Sequence, residues 1–260
     1  MNQWNGLVKR EWIPMRGSLI LGVLLSLVVL SLFPSLINRL MGGELENFEI
    51  TLVLCFIWAG ASVFAPLAAF IISLQRDMKR PDIWLHSTAS IFKLMGSKAF
   101  LAMVIGVVSL LIPTLVLAVR FTISGSREMA FGELFLFGSI FIVLIFVASL
   151  SFLSIGFFFF TIDRLVKRYL KGFSILFTLI LFIFSLKLYG LFILSAFYKK
   201  VIQSGPVNIV DIVNPNIAVN FDYFVLADTT FYTGEVLFEI FTIVVLFMAA
   251  SVLFEKKVRL

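Results

Sequence analysis

Four stretches of this chain contain no Asp, Glu, Lys or Arg and are each long enough to cross a bilayer, which constrains the fold more than any other feature. Arg16 to Arg39 encloses 22 such residues, Glu49 to Arg76 encloses 26, Lys98 to Arg120 encloses 21, and Glu133 to Asp163 encloses 29. A helix rising 1.5 Å per residue needs about 20 apolar residues to cross roughly 30 Å of hydrocarbon. Backbone polar groups find no water there, so each run must satisfy its own hydrogen bonds as a helix. The runs predict spans over 17–38, 50–75, 99–119 and 134–162. A fifth span is read over about 172–195, with Lys187 snorkelling near one end. A sixth, over about 234–254, carries Glu235 and Glu239 in its first part.

Composition agrees. AVILMFWYC residues make up 61% of the 260, charged residues only 14%, and the mean hydropathy is +1.08. A soluble domain has about 45–50% apolar and about 25% charged residues, enough to cover its surface; this chain has too few. Cys55 has no second cysteine to bridge with, which excludes a disulfide scaffold. The first apolar run is longer than a signal-peptide core and lacks a small-residue cleavage site, so it reads as a retained first helix.

The basic residues orient the spans. With the N-terminus inside, the inner segments hold 15 of the 21 basic residues and 5 of the 15 acids. Each loop then satisfies the positive-inside rule, with both termini cytoplasmic. Orientation accounts for the excess positive charge, so no nucleic-acid partner is expected. The same basic loops are also compatible with a site for anionic membrane lipid. The fold expected is therefore an all-α polytopic membrane protein of six transmembrane helices, forming one transmembrane domain over 1–260.

Between the spans lie three informative segments. Residues 1–16 place Trp4, Val8 and Trp12 at helical spacing among basic groups, as an amphipathic interfacial helix that Pro14 would end. Pro34, Pro66 and Pro113 fall within spans and predict kinks unless neighbouring helices repair them. The outer segment 197–233 carries many apolar residues between turn signals, so it is expected to pack on the membrane or dip into it as short helices.

Catalytic and metal chemistry finds no support. His86 is the single histidine, and no cluster of His, Cys and carboxylates has metal-ligand spacing. No nucleophile elbow and no phosphate-binding G-x-x-x-x-G-K-[ST] loop occurs; Gly96-Ser97-Lys98 is the nearest fragment. The chain is expected to hold no catalytic residue, cofactor or metal of its own. Embedded charges mark ion pathways, yet only Lys187 and Glu239 are embedded, at matching depth near the outer face. They either pair or snorkel separately to water.

The remaining segment is the inner loop 76–98. Pro81 and Asp82 can open a short helix presenting Ile83, Trp84 and Leu85. Ser90 can then cap a second helix with Ile91, Leu94 and Met95 on one face, continuing into the third span. The short helix either lies on the headgroups or plugs into a cytosolic partner. Residue by residue, Leu85-His86-Ser87-Thr88-Ala89-Ser90 followed by Leu94-Met95-Gly96-Ser97-Lys98 resembles the loop of ABC-2-type exporter permeases. In that family a basic segment precedes Leu-x-Ser-Pro-x-Ser and then Leu-x-Gly-x-Lys; Thr88 stands here where proline is usual. The motif covers about 25 residues, while the layout of spans and loops is similar along the whole chain.

That resemblance implies a coupling helix docking on a separate cytosolic ABC ATPase subunit, with Arg80, Ile83, Trp84, Leu85 and Ser87 at the contact. It also implies a second permease chain, identical or different, and ATP and Mg bound by the ATPase partner. The Phe-, Ile- and Lys-rich usage looks most like permeases of Gram-positive bacteria, which implies the plasma membrane. An ion-coupled secondary transporter would be favoured by buried acids in the spans, and a non-transport scaffold by the absence of an ATPase partner.

Overall fold

The computed structural model describes residues 3–40, 47–79, 90–124, 131–208 and 230–258. The helices are α1 (Gln3–Leu40), α2 (Asn47–Ser62), α3 (Ala65–Met78), α4 (Ile91–Ser124), α5 (Phe131–Leu170), α6 (Ser174–Ile193) and α7 (Thr233–Leu253). Five helical stretches among the described residues are long and apolar enough to cross a membrane: Gln3–Leu40, Asn47–Met78, Ile91–Ile123, Gly138–Ile193 and Thr233–Lys256. The chain is a helical membrane protein. The fourth stretch contains α5, a 3-10 turn at Lys171–Phe173 and α6. Lys171 takes a positive φ of 48° at that turn, and the rings of Phe159 and Phe182, nearly equidistant from it, meet at 5.1 Å. Hence α6 folds back along α5.

Local sequence and tertiary packing agree at the start of α4. The Ser90 carbonyl accepts the amides of Lys93 and Leu94 at 3.0 and 3.1 Å, and Ile91, Leu94 and Met95 are buried as their spacing predicts. The core brings Met15 of α1 and Phe70 and Leu74 of α3 together with Met95 and Ala102 of α4, Leu153 and Phe157 of α5 and Ala250 of α7. Within it the Phe70 and Phe157 rings meet edge-on at 4.8 Å, an arrangement that matches ring edge to ring face.

Two expectations are corrected. Residues 3–16 are not a separate interfacial helix, because α1 runs unbroken through Pro14. Glu11 and Met15 face inward there, and burying that face against neighbouring helices outweighs the one hydrogen bond proline removes. The second span is interrupted: α2 ends at Ser62 and α3 begins at Ala65, with turns closed by Val63 N–H to the Gly60 carbonyl at 3.3 Å and Phe64 N–H to the Ala61 carbonyl at 3.2 Å. Pro66 sits in the first turn of α3, where its missing donor costs least. Pro34 and Pro113, in contrast, lie inside continuous helices. The described residues are almost all helical, as expected of an all-α membrane protein, with one short strand pair besides. Pro206–Asn208 pairs antiparallel with Thr230–Tyr232, with Val207 opposite Phe231, which brings together the ends of the outer segment. The rest of that segment, 209–229, lies outside the described residues.

Candidate functional site

The polar site of the bundle lies where α1, α3 and α4 meet, beside the ends of α3 and α4 that flank residues 80–89. Helical spacing builds it. Lys98 stands three, four and seven residues after Met95, Leu94 and Ile91, so it shares their buried face. Asp77 follows Ser73, Leu74 and Phe70 in the same way on α3, and Glu11 precedes Met15 by one turn on α1.

The Lys98 side chain is 0% exposed and that of Glu11 1%. Lys98 Nζ has three protons to donate and three acceptors around it: Glu11 Oε1 at 2.8 Å, Ser73 Oγ at 2.8 Å and Asp77 Oδ2 at 2.7 Å. Ser73 Oγ in turn donates to Glu11 Oε2 at 2.5 Å. Two half-buried arginines close the cluster. Arg76 Nη2 donates to Glu11 Oε2 at 3.0 Å, and Arg10 Nη2 reaches Glu11 Oε1 at 3.0 Å and Asp77 Oδ2 at 3.1 Å. Three cations face two carboxylates, and the arginines turn the surplus charge towards the surface.

Burial would raise the Glu11 carboxyl, but the Lys98 charge and the hydrogen bonds from Lys98, Ser73 and Arg10 prevail and hold it below its ordinary 4.5. Glu11 precedes the uncharged run 17–38 and therefore lies outside that span. A depressed folded-state pKa contributes stability above the ordinary value and loses it as pH falls through the folded value. The thermal midpoint in detergent should therefore stay level from about pH 7 to about pH 5 and fall below about pH 4.5. Glu11→Gln should start lower and lose much of that acid-side slope. An unaltered slope in the variant would show that other carboxylates govern it.

Packing around the cluster explains the Gly96-Ser97-Lys98 fragment. Gly96 lies against the Trp4 ring of α1, where an added Cβ would make ordinary contact at 3.4 Å. Ser97 Oγ donates to the Leu94 carbonyl at 2.9 Å, and Lys98 belongs to the ion cluster. No part of it forms a phosphate loop. The Trp4, Val8 and Trp12 face lines an open groove of about 420 Å³ that Phe100 closes on one side.

The site residues expected from the sequence fare differently. Arg80, Ile83, Trp84, Leu85 and Ser87 lie outside the described residues. Lys187 and Glu239 are both described, and no ion pair joins them. Glu239 instead accepts a hydrogen bond from Ser151 Oγ of α5 at 2.7 Å. Helices α6 and α7 both pack on α5, and the rings of Phe192 and Phe238 meet at 5.7 Å near the hairpin end. The positive-inside pattern accounts for Arg10, Glu11, Arg76, Asp77 and Lys98 as solvated orientation charges, and that account hides the cluster. The available signal was Lys98 on the face of Ile91, Leu94 and Met95. No group of three or more metal-ligating side chains occurs among the described residues. No family model, curated protein or solved structure matches this chain.

Proposed function

We propose that the chain is the membrane permease subunit of an ATP-driven exporter, forming half of the translocation pathway and hydrolysing nothing itself. It crosses the bacterial plasma membrane six times, α5 and α6 being separate crossings, with both termini in the cytoplasm. A cytosolic ABC ATPase subunit, which holds the ATP and Mg, docks on residues 80–87, and a second permease chain completes the pathway.

The observation that carries this reading is the position of the Lys98 cluster. Asp77 stands one residue before the end of α3 and Lys98 two turns into α4, on either side of residues 80–89, and the two are joined to each other and to Glu11 of α1. A push or pull on 80–87 therefore reaches three membrane helices through buried ion pairs instead of being lost in a slack loop. Such a rigid stem is what a cytosolic motor needs to move a membrane bundle. The half-helix α3, separated from α2 at Val63–Phe64, gives that movement a short lever.

Trp84→Ala tests the docking. Buried aromatic anchors often lose more than about 2 kcal/mol on truncation, which is at least about a thirtyfold weakening. Tagged chain from native membranes should recover an ATPase subunit, and Trp84→Ala should lose it while inserting at normal yield. If wild type recovers no ATPase, or the variant recovers as much and transports as well, the exporter reading is wrong.

A further inference from the structure

The fold sorts the charges at the end of the bundle that flanks residues 80–89. Among the described residues of α1, α3 and α4 at that end, both carboxylates are turned inward, Glu11 to 1% and Asp77 to 6% exposure. The charges left on the surface there are all positive. Lys9, Arg16, Lys79 and Lys93 are exposed, and Arg10 and Arg76 are half-buried. Membrane orientation does not require this sorting, because acids contribute little to the positive-inside rule.

Arg10 and Arg76 differ from the other surface cations in being held in place. Each commits Nη2 to Glu11 at 3.0 Å, and the two bonds reach the two oxygens of that single carboxylate. Both guanidiniums therefore flank one buried group, while Nη1 and Nε of each make no hydrogen bond among the described residues. A guanidinium carries five N–H donors in a planar fork, a geometry that suits phosphate. A fork already fixed loses little freedom when it takes an anion.

Level and surroundings name the anion. Arg76 closes the charge-free run 50–75, and Arg10 stands level with it, reaching Asp77 at 3.1 Å. That level is the edge of the hydrocarbon, where the polar headgroups of a leaflet lie. Further in, the faces above the forks are apolar and exposed. Ile72 lies one turn from Arg76 on α3, and Leu21 three turns from Arg10 on α1, exposed at 60% and 67%. Phosphate-binding donors at the foot of two apolar faces match an amphiphile, whereas a soluble phosphate would have no use for those faces.

We propose that Arg10 and Arg76 hold the phosphate of an anionic phospholipid whose chains run along the faces of Ile72 and Leu21. Its charge offsets the surplus cation of the Lys98 cluster. The exposed lysines and Arg16 favour an anionic headgroup over a zwitterionic one, since each basic residue near the surface gives about fivefold in attraction to anionic lipid. The site needs neither an ATPase nor a second chain, so it stands or falls apart from the exporter reading.

The test uses the full chain, purified in detergent and stripped of lipid, with phosphatidylglycerol, phosphatidylcholine and inorganic phosphate as separate probes. With two arginines at the contact, phosphatidylglycerol should bind at least about twentyfold more tightly than phosphatidylcholine in native mass spectra, and should raise the thermal midpoint. Equal binding of the two lipids overturns the proposal. Inorganic phosphate that raises the midpoint as far as phosphatidylglycerol does overturns the choice of a lipid. Arg10→Lys with Arg76→Lys keeps two cations beside Glu11 but removes the forks, so phosphatidylglycerol binding should fall by about tenfold or more; undiminished binding overturns the site. Asp82→Asn should leave binding as it is, and a rise would mean that a carboxylate of this chain already fills the forks. An arm without variants covers the case in which the lysine protein misfolds. Phosphatidylglycerol carrying a diazirine in one acyl chain should label the peptides of Leu21 and Ile72 well above those of Ile180 and Ile183, which α6 also exposes. Even labelling of all these helices overturns the proposal by itself.

Discussion

Lys98→Met is expected to lose folded protein more severely than any other single charge removal in the chain. Methionine fills similar volume, so packing is largely kept and the effect reports charge. Without the ammonium, Glu11 and Asp77 face one another while buried at 1% and 6% exposure, with two half-exposed arginines as their remaining cations. Breaking a buried pair by removing one partner costs about 3–5 kcal/mol, because the remaining charge is uncompensated. Lys98→Arg should also lose stability, since a planar guanidinium cannot direct three donors as the ammonium does. Replacing the acids together with the lysine, as Lys98→Met with Glu11→Gln and Asp77→Asn, should recover part of the loss. Lys93→Met is the control: its ammonium is exposed and, among the described residues, bonds Gln3 Oε1 at 3.2 Å, so little change is expected. The readout is the monodisperse fraction of detergent-solubilised protein after a heating series. Equal behaviour of the Lys98 and Lys93 variants would mean that the cluster does not hold the helices together.

Gly106 and Gly156 should differ sharply although both are glycines facing the break in the second span. An added methyl at Gly106 would lie 2.5 Å from Pro66 Cγ, and one at Gly156 would overlap the Leu67 side chain. The Pro66 ring is fixed to the backbone at the start of α3, so it can yield only if the helix moves. Leu67 can change rotamer. Overpacking costs roughly 1–3 kcal/mol where neighbours cannot give way. Gly106→Ala is therefore expected at the upper end of that range and Gly156→Ala at the lower end, with Gly156→Leu severe again. Pro66→Ala removes the obstacle to α4 and should restore much of what Gly106→Ala loses when the two are combined. Thermal midpoints of the four proteins decide it. Additive losses would show that Gly106 matters for some reason other than its approach to Pro66.

The starts and faces of several elements were legible from local pattern alone. Ile91, Leu94 and Met95 declared the buried face of α4, and the charge-free runs declared the membrane-crossing stretches. The break in the second span was harder to read. Pro14, Pro34, Pro66 and Pro113 each remove the same donor, yet only Pro66 stands at an interruption. Helix continuity at a proline depends on what packs beside it. Met15 and Glu11 are held in the interior next to Pro14, whereas Gly106 opens the space into which Pro66 fits.

The candidate site was half legible. Spacing places Lys98 and Asp77 on buried faces, which is information the sequence contains. It does not contain their partners, because Glu11 is 87 residues from Lys98 and 62 from Ser73. The same holds for Lys187 and Glu239. Equal depth follows from counting residues, but their failure to meet follows from how α6 and α7 pack on α5.

The amino-acid sequence by itself determined the solvent this protein dissolves in, the stretches long and apolar enough to cross it and the buried face of α4. These follow from hydrocarbon thickness and helix rise, which act residue by residue. Only the tertiary structure decided that boundary charges at 10, 11, 76, 77 and 98 turn inward as one cluster, that the second span divides at 63–64, and that Glu239 bonds Ser151. Those outcomes depend on which helix faces lie against one another, and a buried charge is tolerated only where a neighbouring helix brings its counterpart within hydrogen-bond reach.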